Sequence, residues 1–185
     1  WAIDFPFGLP IEVMPARTTW RDQLGQMRRW RKGAYAMGLR CVERAKRHNG
    51  SLHIRRVTDS EQRTPFDCYH YRIIYQTFHG MRDVIGPLRR APGTAVLPFQ
   101  YRRLPAARRV LVESCPASVL KVLGLPHQNY KQTTGGPLTR KRLLTRRAIL
   151  AGLEPLVTID PSHRRAIMRN GGGDALDAVI AAVGA

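Results

Sequence analysis

The chain has 185 residues, 43% of them hydrophobic, which suits one domain with a substantial core. Thirty-one Lys and Arg against thirteen Asp and Glu give a formal net charge of +18, so the surface must be basic almost everywhere and a polyanion is the expected partner, nucleic acid ahead of an anionic membrane surface. No apolar run approaches the roughly 20 residues that span a bilayer, none reads as a signal peptide, and the isolated Cys41, Cys68 and Cys115 exclude a zinc knuckle and point to a reducing, cytoplasmic setting without membrane insertion.

Trp1-Ala2-Ile3-Asp4-Phe5 reads as a short buried strand ending in an acid, stopped by the rigid loop Pro6-Phe7-Gly8-Leu9-Pro10. Asp4 is either a functional acid or an acceptor for the amides of that loop. Because the chain opens at Trp1 directly in this strand, an amino-terminal truncation is expected. Thr19 followed by Asp22 forms a capping-box start, with Trp20, Leu24 and Met27 on one face. Ala34, Met37, Cys41 and Ala45 continue the apolar spacing, so one broken helix or two consecutive helices are predicted, with Arg and Lys on the remaining faces. Trp30 reads as a cover for core aliphatics before it reads as a base-stacking platform.

Residues 48–62 read as a connection with an extended piece at 52–57. A helix is predicted to start at Thr64, with Pro65 in its first turn and Asp67 near its positive end, and to carry a stripe of Tyr71, Ile74, Phe78, Met81 and Ile85. Ala95 to Phe99 is a short strand in which Pro98 cannot donate to a ladder.

Arg109-Val110-Leu111-Val112-Glu113 is the strand on which the chain is best organised, and Ala117 to Leu123 a helix closed by Gly124. Open sheets place ligands at the carboxyl ends of their strands, which makes Glu113 a functional candidate beside the plain reading of an exposed terminal acid. A loop over 126–136 carries Tyr130-Lys131. Pro137 begins a helix with Leu143, Leu144, Ala148 and Ala151 as its apolar side. Its basic side, which includes Arg140, Arg142, Arg146 and Arg147, faces either a phosphate backbone or solvent. Asp160-Pro161 caps a short helix reaching about Arg169, and a triple glycine precedes the apolar helix Asp174 to Val183, expected to pack on the sheet. Asp174 and Asp177, three apart, are neighbours near its positive end. No internal repeat and no domain boundary appears.

Asp4, Glu113, Asp174 and Asp177 are four of only thirteen acids in a strongly basic chain. Carboxylates brought together repel, and a hard divalent cation relieves the repulsion through oxygen ligation. Two such ions about 4 Å apart activate water and stabilise the leaving oxygen in phosphodiester hydrolysis.

Ile3-Asp4-Phe5-Pro6-Phe7-Gly8-Leu9-Pro10, Val112-Glu113-Ser114-Cys115-Pro116, Tyr130-Lys131, Arg140 through Leu143-Leu144, and Asp174-Ala175-Leu176-Asp177-Ala178 occur in an order that resembles an uncharacterised family of predicted nucleases with a ribonuclease H-like fold. Cys115 departs from the aromatic usual at its position. The resemblance implies a single α/β domain over 1–185, a mixed sheet flanked by helices and lacking its amino-terminal strands, one of which carries a further catalytic acid. It also implies Asp4, Glu113, Asp174 and Asp177 as catalytic and metal-ligating residues, with Mg2+ or Mn2+ as cofactor. Lys131, Arg140, Arg142 and Arg146 are the expected phosphate contacts because they surround the carboxy-terminal acids in sequence. The expected function is metal-dependent hydrolysis of DNA or RNA. A noncatalytic nucleic-acid-binding module of the same fold and a hydrolase of a phosphorylated metabolite are the alternatives. Oligomeric state has no signature in the sequence.

Overall fold

In the computed structural model, which describes residues 1–185, the protein is a mixed α/β chain with three short strands and many helices. It divides into two compact units, one formed by Trp1 and Phe5–Glu113 and the other by Ala2–Asp4 and Ser114–Ala185. No linker composition announces the division, because only Ser114 and Cys115 separate the strand that ends at Glu113 from the helix that follows.

Strand β1 is only Ala2–Ile3 and belongs to the second unit. Trp1, expected inside, is 77% exposed, while its carbonyl accepts from the Val112 amide at 2.9 Å. The first unit then builds a buried loop whose backbone polar groups are met by side chains, as burial demands. The Leu9 amide donates to Gln23 Oε1 at 2.8 Å and Gln23 Nε2 donates to the Leu9 carbonyl at 3.1 Å. The Phe7 carbonyl takes the Trp20 indole N–H at 2.7 Å. A one-turn 3-10 helix, Ile11–Val13, leads out of it.

Helix α1 (Trp20–Arg29) starts at the capping box expected from Thr19 and Asp22, each side chain taking the other's backbone amide. It buries Leu24 and Met27, and Trp20 stacks on Phe99 at 4.2 Å. The chain breaks at Trp30 and restarts as α2 (Gly33–Asn49), buried along Ala34, Met37, Cys41 and Ala45 as the spacing predicts. Trp30 closes that break: its indole donates to the Gly33 carbonyl at 2.8 Å, and Arg40 lies over its ring. It is a joint rather than a free stacking platform.

The 52–57 extended piece does not form a strand. A short helix α3 (Val57–Glu61) follows Arg56. The helix expected from Thr64 begins ten residues later, as α4 (Ile74–His79), a π-helical stretch (Gly80–Ile85) and α5 (Gly86–Leu88) in succession. Local side-chain bonds compete with the helix over 64–73. Thr64 Oγ1 donates to the Asp59 and Phe66 carbonyls, and Asp67 Oδ1 takes the Tyr69 amide at 3.1 Å. Ile74, Phe78, Met81 and Ile85 are each 0% exposed, worth about 1.5–3 kcal/mol apiece in transfer free energy. Tyr71 lies before the helix and is exposed. Gly80, where the π stretch begins, lets the Phe5 ring approach so closely that a Cβ there would sit 2.4 Å from Phe5 Cδ2.

Strands β2 (Thr94–Val96) and β3 (Arg109–Glu113) pair in parallel with Ala95 opposite Val110, joined by a 3-10 turn at Tyr101–Ala106. β2 ends before Pro98, which cannot extend the ladder.

The second unit holds α6 (Pro116–Val122), α7 (Arg140–Leu153), α8 (Pro161–Arg169) and α9 (Asp174–Val183). Gly124, at φ 67°, ends α6, and the Leu125 amide returns to the Leu120 carbonyl at 2.8 Å. Leu120, Ile149, Leu150, Leu153, Ile167, Leu176 and Ile180 form its core. Thr139, not Pro137, sets the start of α7 by accepting from the Arg142 amide. The buried face of α7 is therefore Arg146, Ile149, Leu150 and Leu153, rotated from the expected Leu143, Leu144, Ala148 and Ala151; Leu144 is 52% exposed.

Candidate functional site

The carboxylates singled out by sequence fall into two settings. Glu113, at the end of β3, belongs to the first unit. Its Oε2 accepts from the Phe7 amide at 2.8 Å and from Arg56 Nη1 at 2.9 Å, and its Oε1 accepts from Arg56 Nη2 at 2.5 Å. Arg56 simultaneously grips Asp59, 2.6 Å from Nη2 to Oδ1 and 3.1 Å from Nε to Oδ2. The fork geometry of a guanidinium suits this two-carboxylate grip. Burial would raise the Asp59 carboxyl, but the Arg56 hydrogen bond and charge outweigh it and leave Asp59 below the ordinary range. Cys68 Sγ closes the cluster on Asp59 Oδ2 at 3.3 Å. Glu113 thus acts as the acceptor of the amino-terminal loop, the structural role considered for Asp4. Arg56 carried no signal beyond its i,i+3 spacing from Asp59.

The second unit gathers Asp4, Tyr130, Lys131, Asp174 and Asp177. Asp177, in the first turn of α9, is 6% exposed. Tyr130 donates its hydroxyl to Asp177 Oδ1 at 2.9 Å, and the Lys131 ammonium bonds Oδ2. Burial raises the Tyr130 hydroxyl well above the ordinary phenol range, and the Asp177 and Asp4 carboxylates raise it further. Asp4 therefore sits within electrostatic reach of the same hydroxyl. Asp174, one turn earlier than Asp177, is exposed.

Arg146 and Arg142 of α7 build this cluster from behind. Arg146 is 0% exposed. Its Nε donates to the Tyr130 carbonyl at 2.6 Å, Nη1 to the Ile167 and Asn170 carbonyls at 2.8 and 2.6 Å, and Nη2 to the Gly171 carbonyl at 2.9 Å. Burial lowers the affinity of this guanidinium for its proton, and the nearby Asp177 and Tyr130 oppose that change. The expectation of Arg146 as a phosphate contact is corrected: a side chain enclosed by carbonyls presents no charge to a polyanion. Arg142 Nε donates to the Lys131 carbonyl at 2.7 Å and the residue is half-buried. Arg140 is exposed and Lys131 half-exposed. Gly173, at φ 90°, precedes α9, and a Cβ there would meet Lys131 Cγ at 2.9 Å, so a glycine is needed for the lysine stem to pass.

No three His, Cys, Asp or Glu side chains are gathered so as to hold a metal ion. Cys41 and Cys68 are buried and unpaired by disulfide; burial pushes the Cys41 thiol up to about 12, which makes it a core residue rather than a nucleophile. No helix is long and apolar enough to cross a membrane.

The model of a family described as a protein of unknown function, DUF429, matches residues 94–185, from β2 to the end of α9. Neither the curated proteins nor the solved structures gave a match to the chain.

Proposed function

We propose that the chain is a metal-dependent nuclease whose reactive group is Asp177 and whose basic surface holds DNA or RNA. The observation that carries this reading is a nearly buried carboxylate at the positive end of α9 whose second oxygen is covered by a half-exposed lysine, so that an external cation can exchange with a protein cation there. The donor chemistry suits a hard cation, since Asp177 and Asp4 offer carboxylate oxygens and the Lys131 ammonium already stands in as a cation on Asp177. Asp177 and Asp4 would hold the hard cation, and it would supply polarisation of a phosphoryl oxygen and acidification of a bound water.

The chain's own side chains have definable parts in this reading. Tyr130 keeps its proton at neutral pH and orients Asp177 through Oδ1. Lys131, released from Oδ2, keeps a positive charge beside the carboxylate to receive a phosphate oxygen. Arg146 and Arg142 are positioning residues that hold the backbone of Tyr130 and Lys131.

A second reading, a noncatalytic nucleic-acid-binding module, is favoured by the pairing of both Glu113 and Asp177 with protein cations. Incubation of the full-length protein with labelled DNA, RNA and branched substrates in Mg2+ or Mn2+ separates the two. The nuclease reading expects cleavage that Asp177→Asn reduces at least a hundredfold with the fold retained. Binding without cleavage on every substrate leaves the module, and hydrolysis confined to small phosphate esters leaves the metabolite hydrolase.

A further inference from the structure

The first unit carries a groove between α1 and the helical run from Gly80 to Leu88, apart from the Asp177 cluster of the second unit. Arg28, Arg29, Arg31, Arg82, Arg89 and Arg90 line it, and Asp83 is its only acid. That acid is already taken: Arg82 Nε and Nη2 donate to it at 2.7 and 2.8 Å, and His79 Nδ1 lies 3.0 Å away. The other five arginines make no ion pair. Arg89 is the most informative. Its Nε is buried without a hydrogen-bond acceptor, although such donors are nearly always satisfied in folded proteins. Burial disfavours its charge, and Arg90, Arg21 and Arg103 add repulsion from around it. Self-repelling cations around an unsatisfied donor lack an anion.

We infer that this arginine groove is a binding channel for the phosphate backbone of a nucleic acid, separate from the Asp177 cluster. Guanidinium forks match phosphate oxygens two at a time. A concave groove lined by arginines can surround a strand of phosphates, whereas the flat charge layer of an anionic lipid surface meets only its rim. Trp30, which also lines the groove, has its indole N–H committed to Gly33 and its ring under Arg40, so recognition here goes through phosphate and carries no base sequence. The channel rests on the nucleic-acid part of the reading above and not on its chemistry.

The test is fluorescence anisotropy of a labelled 30-nucleotide single strand and its duplex from 50 to 300 mM salt, comparing the parent with Arg28→Gln/Arg29→Gln/Arg90→Gln. All three side chains are exposed, so folding is preserved, and thermal melting checks it. Removing three phosphate contacts should flatten the slope of log affinity against log salt by about 2 on the single strand, with at least a tenfold loss of affinity at 100 mM. A control that removes three exposed arginines of the second unit, Arg147→Gln/Arg165→Gln/Arg169→Gln, should lose less than threefold. Equal loss in both triples, or no binding by the parent, overturns the channel. So does groove-dependent binding to phosphatidylserine vesicles with none to nucleic acid. Cleavage assays on the Asp177→Asn protein fail or succeed independently of these outcomes, which keeps the two proposals distinguishable.

Discussion

Replacing Arg146 with methionine tests the reassignment of this residue from surface contact to internal brace. The side chain is 0% exposed and donates to four carbonyls, those of Tyr130, Ile167, Asn170 and Gly171, all within 2.9 Å. A hydrogen bond to a charged group contributes about 1.5–3 kcal/mol, and an orphaned buried acceptor costs about 1–3 kcal/mol. Four such bonds would sum naively to about 6–12 kcal/mol. Methionine fills much of the volume, desolvation of the guanidinium is relieved, and water reaches some of the freed carbonyls, so a net loss of about 3–4 kcal/mol is the working figure. At roughly 2–4 °C per kcal/mol for a chain of this size, the melting temperature should fall by about 10 °C. Arg147→Met, the exposed neighbour, should stay within about 0.5 kcal/mol. Differential scanning fluorimetry with circular dichroism decides it. Arg146→Met melting within 2 °C of Arg147→Met would refute the brace. So would a selective loss of nucleic-acid affinity by the folded Arg146→Met protein.

Two further predictions concern the first unit. Because Asp59 is depressed below its unfolded value of 3.8, the unfolded chain binds more protons between the two pKa values, so stability rises with pH through that window. The contribution is full above about pH 4 and is lost as pH falls through the folded value. Melting curves from pH 5 to pH 2 should show a steeper acid loss in the parent than in Asp59→Asn, and parallel curves would contradict this linkage. Gly80→Ala should destabilise by about 1–3 kcal/mol through overpacking against Phe5. Phe5→Leu in the same background should recover part of that loss, and strict additivity of the two would count against the contact.

The elements announced by local chemistry were legible in the sequence. The Thr19 and Asp22 box, the Gly124 stop, the Asp160 cap and the α9 helix each depend on residues within a few positions, and each forms as read. Misreadings arose where distant partners decide. Thr64 resembles a helix cap but bonds a turn, because Asp59 and Phe66 carbonyls are available to it. The face of α7 turned because Arg146 is drawn inward by four carbonyls from two other segments, an attraction that polarity patterns score in the opposite direction. Of the site, Asp177 and Lys131 were visible as acid and base. Tyr130 was visible only as half of a dipeptide, and its bond to Asp177 spans 47 residues, beyond any periodicity.

Thirteen acids in a field of thirty-one Lys and Arg make pairing nearly unavoidable, so a partnered carboxylate is not thereby structural. The character of the cation is what discriminates. Arg56 is a planar fork held by two carboxylates at once, its side chain only 15% exposed, and freeing Glu113 would break the grip on Asp59 as well as strand the Phe7 amide. A guanidinium so placed does not yield to a solute. Lys131 offers a single ammonium on a flexible stem, 36% exposed, and its departure leaves Asp177 still anchored by Tyr130. The two acids therefore differ in exchangeability: Glu113 holds the loop, and Asp177 is the carboxylate that the proposed nuclease reading gives to an incoming cation. The Asp177→Asn experiment therefore carries the functional decision for the proposed reading, and a Glu113→Gln variant should first appear as a loss of stability.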